Sequence, residues 1–329
     1  MKYSGIGGQA VIEGIMMMKG EDYAVAVRRP DKEIEVKKDT YQSITKKAKI
    51  LQLPFVRGVF RFADSMIIGM RSLSYSASFF EDDEDAEPGK FEQLLDRVFG
   101  EKLESAIMAA VLVISFILAI GIFMLLPLGI ANLFKGVITS DHLMAVLEGV
   151  IRIAIFIIYI KLVSRMEDIR RTFMYHGAEH KCINCIENGA RLTTENVMNS
   201  SRYHKRCGTS FLFIVMFISV VFFIFIRVDN TALQIVIRLL LVPVIAGVSY
   251  EFIRWAGKND NGFTMVLSKP GMWLQKLTTR EPDEDMVEVA IKAVEEVFDW
   301  KAFLEEYYAH SPNPEADMLA SEAKLAMDG

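Results

Sequence analysis

The stretch SAIMAAVLVISFILAIGIFMLLPLGIANLF, residues 105–134, decides the fold of this 329-residue chain. It contains no charged residue, and its 30 residues exceed the roughly 20 that an α-helix needs to cross a bilayer. Three more apolar runs follow, at 143–160, 209–226 and 233–255. Because four such runs are hard to bury in a soluble core of this size, the sequence predicts a mainly α-helical polytopic membrane protein with four transmembrane helices.

The distribution of basic residues predicts the orientation of these helices. The connections 135–142 and 227–231 hold one basic residue each, whereas the middle connection, 161–208, holds many. They are Lys161, Arg165, Arg170, Arg171, Lys181, Arg191, Arg202, Lys205 and Arg206. By the positive-inside rule, the middle loop and both termini are therefore expected to be cytoplasmic, in a multi-pass protein of the cell membrane. All three cysteines lie in this loop, where a reducing compartment disfavours a structural disulfide.

Composition gives less information about partners. The net charge of −5 says little, because the acidic residues are concentrated in a few stretches. We expect the lipid bilayer and an unknown substrate or membrane-protein partner, and no nucleic acid. Residues 1–20 contain Lys2, Glu13 and Lys19 and lack a uniform apolar core, so no cleavable signal peptide is predicted.

The N-terminal region, residues 1–50, is predicted to be β-rich. Two extended runs, Tyr23–Val27 and Glu33–Val36, flank the turn signal Pro30-Asp31. Before them, glycines punctuate the short apolar segment GIGGQAVIEGIMMMKG, residues 5–20. This segment could wrap a site closely, but it is no phosphate loop, because it lacks a Gly-Lys-Ser/Thr end.

Residues 51–90 are predicted to form an amphipathic helix followed by an acidic linker. Arg57, Arg61 and Arg71 lie on one side of the helical stretch 54–77. Binding to the membrane interface and packing against the protein's own core both explain such a helix. Its apolar stripe consists of Phe55, Val59, Phe62, Met66, Met70 and Leu73.

The C-terminal region, residues 256–310, is predicted to lie in the cytoplasm. Lys269-Pro270-Gly271 indicates a turn. An amphipathic helix is then expected from Thr279 to about Tyr308, because apolar residues recur there at helical spacing. Residues 311–329 are expected to form a disordered tail.

The middle loop contains the pattern that points most directly to chemistry, His176-Gly-Ala-Glu179-His180. On a helix these residues at i, i+3 and i+4 share one face. Imidazole and carboxylate are good ligands for zinc and other divalent ions, and the spacing matches the inverted zinc-peptidase motif. A solvated polar helix face is the alternative explanation.

A metal site needs ligands from a second segment, and His204 and Cys207 are the natural candidates. Glu187 returns to the His176 face but lies about 10 Å further along the helix axis than His180. The competing possibility is a zinc ribbon in which Cys182 and Cys185 join His204 and Cys207.

One polar pair is predicted inside the membrane. Glu148 and Arg152 lie four residues apart in the second apolar run and therefore share one face. Each intramembrane charge costs about 2.5–3.5 kcal/mol on insertion scales, so such residues usually pair or face a cavity. Either a structural ion pair or a transport or substrate path explains them.

Four motifs in order carry a resemblance that spans nearly the whole chain. They are GGQAVIEG at 7–14, HGAEHK at 176–181, HKRCGTSF at 204–211 and LTTREPDEDMVEVAI at 277–291. Together they resemble the YqhQ-like family of bacterial membrane proteins, which is labelled a predicted metal-dependent enzyme. The resemblance implies that His176, Glu179, His180, His204 and Cys207 are the family's polar motif positions. Cys182 and Cys185 fall outside that pattern.

The leading hypothesis from the sequence is a membrane-embedded metal-dependent enzyme, a hydrolase with its site on the cytoplasmic face. His176, His180, His204 and Cys207 are the expected ligands of a divalent ion, zinc by preference, and Glu179 is the expected catalytic base. The alternative is a non-enzymatic membrane scaffold, assembly factor or transport component with a structural metal site.

Overall fold

A computed structural model describes residues 2–80, 103–225, 228, 230–258 and 262–308 of the chain. The predicted acidic linker, which begins at Glu81, and the predicted tail, 311–329, lie outside these residues. The chain divides into two compact units. The first unit comprises Met1–Phe80, Ile160–Ile218 and Leu240–Gly329, and the second comprises Glu81–Tyr159 and Ser219–Leu239.

Helices make up most of the described chain, as predicted. They are α1 (Val56–Ala77), α2 (Leu103–Ile120), α3 (Leu126–Asn132), α4 (Asp141–Val163), α5 (Glu167–Glu187), α6 (Thr194–Asn199), α7 (Gly208–Phe225), α8 (Thr231–Lys258), α9 (Gly262–Thr278), α10 (Glu284–Val297) and α11 (Trp300–Tyr308). Two short 3-10 turns, Ile44–Lys46 and Lys49–Gln52, precede α1, and a π-helical turn, Gly121–Leu125, joins α2 to α3.

The N-terminal region forms a four-stranded antiparallel sheet in the order β1-β2-β3-β4, which confirms the predicted β-rich region. The strands are β1 (Ile6–Val11), β2 (Gly14–Lys19), β3 (Asp22–Arg28) and β4 (Ile34–Thr40). The turn between β3 and β4 contains Pro30-Asp31, and Lys32 closes it with a positive φ of 70°. Local turn chemistry therefore sets the pairing of these two strands.

The central strands are buried on both faces because helices cover the sheet from both sides. Side chains alternate along β2, so Ile15 and Met17 point to one face and Met16 to the other. The first face packs against α5 and α10 in the main apolar core of the first unit. The second face packs against Ile68 of α1.

Helix α1 packs against the sheet in an unexpected way. Its buried face consists of small and polar residues together with Ile68, whereas the predicted apolar stripe exposes Phe55, Phe62, Met66 and Leu73. Asp64 is buried on the packed face and accepts hydrogen bonds from Tyr41, Ser43 and the backbone of Ile44. Packing against the sheet therefore uses the small-residue side and leaves these four apolar side chains exposed.

Four helical segments are long and apolar enough to cross a membrane, and they confirm the four predicted spans. They are Ala110–Asn132, Asp141–Val163, Gly208–Phe225 and Ala232–Ala256. The first span is not one regular helix, because the π-helical turn and Pro127 interrupt it. Together the four spans make the protein a multi-pass membrane protein in a lipid bilayer.

The second unit contains a buried ion cluster within these spans. Glu148 and Arg152 pair at 2.6 Å, which confirms the predicted contact, and Arg238 also binds both oxygens of Glu148 at 2.7 Å. Arg152 donates to Ser219 at 2.9 Å, and both guanidinium groups stack on the ring of Phe223. The Glu148 carboxylate therefore forms ion pairs with both Arg152 and Arg238.

Two predictions for the C-terminal region are wrong. The turn expected at Lys269–Gly271 lies inside α9, where Gly271 packs so closely against Ser210 that an added Cβ would lie 2.7 Å from its Oγ. The helix expected from Thr279 to Tyr308 is two helices, α10 and α11, separated at Phe298, whose backbone is extended. Residues 279–283 are not helical, because Arg280 donates its backbone N–H to Phe173 at 2.9 Å.

Candidate metal centre

The residues His176, Glu179 and His180 lie on α5, a 21-residue helix of the first unit. His180 and Glu179 are buried and His176 is half-buried. The spacing places the two imidazoles next to each other, with ring centroids 4.4 Å apart. Cys207, which immediately precedes α7, lies against the same face, with its Sγ 3.2 Å from Nε2 of His176.

His176, His180 and Cys207 form a group in which one ligand atom from each residue lies within 4.8 Å of the others. Two imidazole nitrogens and one sulfur are donors that suit zinc. Cys207 also accepts the backbone N–H of Thr209 at 3.4 Å, at the start of α7. A backbone donor at a helix N-terminus favours a thiolate over a thiol.

Backbone carbonyls fix the orientation of both imidazoles. Nδ1 of His176 lies 2.9 Å from the carbonyl oxygen of Thr278, and Nδ1 of His180 lies 2.7 Å from that of Arg202. Because a carbonyl only accepts, each Nδ1 must carry the hydrogen, and in a neutral ring Nε2 then presents a lone pair. Metal-binding histidines typically make such a bond with the nitrogen that does not bind the ion.

The ionisation of Cys207 and the ionisation of His176 depend on each other. Burial penalises the thiolate, but His180 and His176 outweigh it and hold the pKa of the Cys207 thiol well below its usual range. Burial likewise disfavours the imidazolium, yet Cys207, Glu179 and the Thr278 carbonyl raise the pKa of His176 to about 9. The thiolate of Cys207 and the imidazolium of His176 therefore favour each other.

Glu179 lies beside both histidines, and β1 closes over it. Burial raises the pKa of its carboxyl group, although His176, His180 and a backbone hydrogen bond from Gly8 act in the opposite direction. An added Cβ at Gly8 would lie 2.6 Å from the carbonyl oxygen of Met16 and 3.1 Å from Cδ of Glu179. Only glycine lets the strand come so close to Glu179.

The structure places His204 outside this donor group, although its ring centroid is 5.7 Å from that of His180. Its Nε2 faces Glu187, 3.6 Å from a carboxylate oxygen, which is too long for a hydrogen bond. Burial and the nearby His180 lower the pKa of His204, against the effect of Glu187. Buried Gln275 fixes the backbone of His204, accepting its N–H at 2.9 Å and donating to its carbonyl at 2.8 Å.

Glu187, at the end of α5, binds a separate group of residues. It accepts hydrogen bonds from the backbone N–H and the hydroxyl of Ser4, at 2.9 and 2.8 Å, and pairs with Arg206. Although burial acts against ionisation, His204 and Arg206 lower the pKa of Glu187 below its usual range. This carboxylate therefore ties the N-terminus to the segment before α7.

Among the described residues, the four side chains of the alternative zinc ribbon do not form one donor group. Cys182 and Cys185 are fully buried in the apolar core between the sheet, α5 and α10. Among the described residues, the donor group contains neither of them. Burial raises the pKa of the Cys182 thiol well above its usual value, as expected for a core cysteine rather than a ligand.

Some residues that shape the group were not predicted as site residues. They come from segments of the chain outside α5, and they are Gly8, Gln275 and the backbone carbonyls of Arg202 and Thr278. Gly8 and Thr278 belong to motifs that the sequence does display. No pattern in the sequence around Gln275 predicts its role, because that role depends on how α9 packs beside His204.

The fold and this group define a class: a multi-pass membrane protein whose compact α/β unit carries a buried His-His-Cys cluster. Residues 53–300 match a family described as "Protein of unknown function (DUF1385)", and the chain belongs to this family. It is also 32% identical to "Uncharacterized protein YqhQ" of Bacillus subtilis (strain 168) over 308 residues, which cover 93% of this chain and 96% of the relative. No solved structure matches the chain.

Proposed function

We propose that this protein is a membrane-embedded metal-dependent enzyme of the hydrolase class, whose ion is held by His176, His180 and Cys207. The proposal rests mainly on one observation, the convergence of these three donors within 4.8 Å. Carbonyls orient both imidazoles, and a backbone N–H supports the thiolate.

The donor set fits a zinc-like divalent ion. Three protein donors leave one position open, which is the pattern of catalytic rather than structural zinc sites. A bound ion of this kind polarises carbonyl or phosphoryl oxygens and activates water at neutral pH. In this proposal His204 faces Glu187 and does not bind the ion.

Glu179 would act as the acid–base residue. Its carboxyl group is buried beside both imidazoles, and burial moves its pKa upward, towards the range in which a carboxyl group exchanges protons at neutral pH. The Gly8 backbone orients it from β1. Glu179 would accept the proton released by the attacking water and deliver it to the leaving group.

Metal analysis of the purified full-length protein tests this proposal. The wild type should retain a stoichiometric transition metal in detergent, and His180→Ala and Cys207→Ser should lose most of it. His142→Ala, outside the group, and Cys182→Ala, in the core, are the matched controls and should retain it. A metal-free wild type, or equal metal content in all five proteins, would exclude the proposed centre.

A structural ion in a non-enzymatic scaffold or transport component is the second candidate. The burial of His180 and Cys207 favours a structural ion. An ion bound to these residues would hold together α5, the start of α7 and the end of α9. A structural site is closed by four protein ligands. Small anions added to the cobalt-loaded protein should change its visible spectrum if one position is open, and leave it unchanged if the site is closed.

A further inference from the structure

A second feature of the first unit is an arginine-lined cleft of about 520 Å³ beside the start of α5. Its charged lining consists of four arginines and one glutamate: Arg165, Arg170, Arg202, Arg280 and Glu281. They come from three segments of the chain, the turn after α4 with the first turn of α5, the loop before α7, and the stretch between α9 and α10. The cleft is therefore built by the fold rather than by one basic run.

The positive charges of the cleft are poorly balanced. Glu281 is 64% exposed and is shared by Lys181, at 3.0 Å, and Arg202, at 3.6 Å. Within the described part of the chain, Arg165, Arg170 and Arg280 form no ion pair, although Glu167 and Asp168 lie next to Arg170 on α5. The four arginines of the lining thus share one carboxylate, which Lys181 also binds.

Two of the arginines also have unsatisfied donors. The Nε atoms of Arg202 and Arg280 are buried and form no hydrogen bond within the described residues. That of Arg202 lies 3.6 Å from the Glu281 carboxylate, beyond hydrogen-bond distance, whereas that of Arg280 has no ion pair among these residues either. Buried polar atoms are almost always paired in native proteins, so an unpaired buried guanidinium N–H indicates a missing acceptor. The backbone of Arg280 is held by Phe173, so its side chain starts from a fixed position.

The chemistry of the lining selects the ligand. Guanidinium groups bind phosphate through two parallel N–H···O bonds, and several of them can surround one group. Arg165 follows the second span, Asp141–Val163, by two residues, so we infer that the cleft lies near the lipid headgroups. Basic pockets at this depth bind phosphate-bearing headgroups.

We propose that this cleft binds a phosphate group, carried either by a lipid headgroup or by a soluble phosphate compound. The inference goes beyond the proposed function and needs no metal ion. The cleft and the candidate centre nevertheless share two segments. The Arg202 carbonyl orients His180, and Arg280 lies two residues after Thr278, whose carbonyl orients His176.

Binding to the full-length protein in detergent tests the proposal with three probes. They are inorganic phosphate, a short-chain phosphatidic acid, and a diacylglycerol of the same chain length without phosphate. The wild type should bind phosphatidic acid more tightly than the diacylglycerol. Competition by inorganic phosphate would identify a site that also accepts soluble phosphate, whereas its absence would identify a headgroup site.

The double variant R165Q/R170Q should weaken the binding of phosphatidic acid by about tenfold or more, because two guanidinium partners are lost. Both residues are exposed, so the fold should survive. Arg191→Gln, an exposed arginine of the same unit outside the cleft, is the matched control and should bind like the wild type.

Equal binding of the diacylglycerol and phosphatidic acid would overturn the proposal. So would unchanged binding in R165Q/R170Q, or an equal loss in Arg191→Gln. The same titration after removal of metal by a chelator separates the two proposals, since the cleft should still bind phosphate if the metal centre does not exist.

Discussion

Gly177, inside the His176–His180 motif, shows how one residue determines the geometry of the candidate centre. An added Cβ would lie 2.0 Å from the carbonyl oxygen of Arg280, which is backbone and cannot rotate away. The chain after α9 therefore crosses α5 in direct contact with this glycine. That crossing lets the Thr278 carbonyl reach Nδ1 of His176.

We predict that Gly177→Ala weakens both folding and metal binding. Forcing a methyl group against backbone costs about 1–3 kcal/mol of stability, and moving Thr278 away would release the orientation of His176. Thermal unfolding in detergent and a competitive zinc titration measure the two effects. Gly129→Ala, a helical glycine with nothing within 4 Å of the added Cβ, should leave both unchanged. A stable Gly177→Ala protein with wild-type zinc affinity would refute this explanation.

At the residue scale, the sequence predicts the part of the group that depends on helical spacing. The i, i+4 rule brings His176 and His180 together, and Cys207 arrives from the segment that the motif analysis indicated. The separation between His204 and the donor group was not predictable, because it depends on Glu187 and Gln275. Glu187 lies further along the same helix, and only the course of the loop between α6 and α7 brings His204 to it.

At the scale of elements, the buried cluster around Glu148 joins α4 to α8 inside the membrane. Two arginines share one carboxylate, so the loss of Glu148 leaves two charges uncompensated. The loss of either arginine leaves an intact pair. Removing one partner of a buried pair costs about 3–5 kcal/mol when the other charge stays unpaired.

The cluster therefore predicts an asymmetry between its members. Glu148→Gln should lower the stability of the protein far more than Arg152→Gln or Arg238→Gln, each of which leaves one ion pair in place. Unfolding of the purified protein by a denaturing detergent compares the three variants. Equal destabilisation by all three would mean that the residues act independently and that the cluster does not hold the helices together.

Long apolar runs predict membrane helices well because the bilayer imposes both their length and their composition. Details inside an element depend on contacts that the sequence does not reveal. The sequence does not predict the interruption of the first span at Gly121–Leu125. Nor does it predict that α9 continues through Pro270 or that the chain breaks at Phe298. The exposed apolar stripe of α1 is another such detail, because Gly58 and Gly69 allow close packing on the neighbouring side of the helix.

At the scale of the whole molecule, the distribution of basic residues gives a testable orientation. We propose that both termini and the loop 161–208 lie in the cytoplasm, because this loop carries nine of the basic residues and the two other connections carry one each. An even number of spans is consistent with termini on one side of the membrane.

Labelling of intact cells with a membrane-impermeant maleimide tests this orientation. The three native cysteines are buried, so the wild type should give little background. Gly136→Cys, between the first two spans, should be labelled in intact cells, and Lys38→Cys, on exposed β4, only after permeabilisation. The reverse pattern would invert the topology and place the candidate centre outside the cell.

The central claim is that His176, His180 and Cys207 hold one ion, and the absorption spectrum of the cobalt-substituted protein tests it most directly. Cobalt takes the same nitrogen and sulfur ligands as zinc, and a thiolate ligand adds a charge-transfer band in the near ultraviolet. The wild type and Cys182→Ala should show this band. Cys207→Ser should lose it, and His176→Ala should lose the tetrahedral visible bands. A wild-type spectrum without the band, or a band that persists in Cys207→Ser, would contradict the proposed centre.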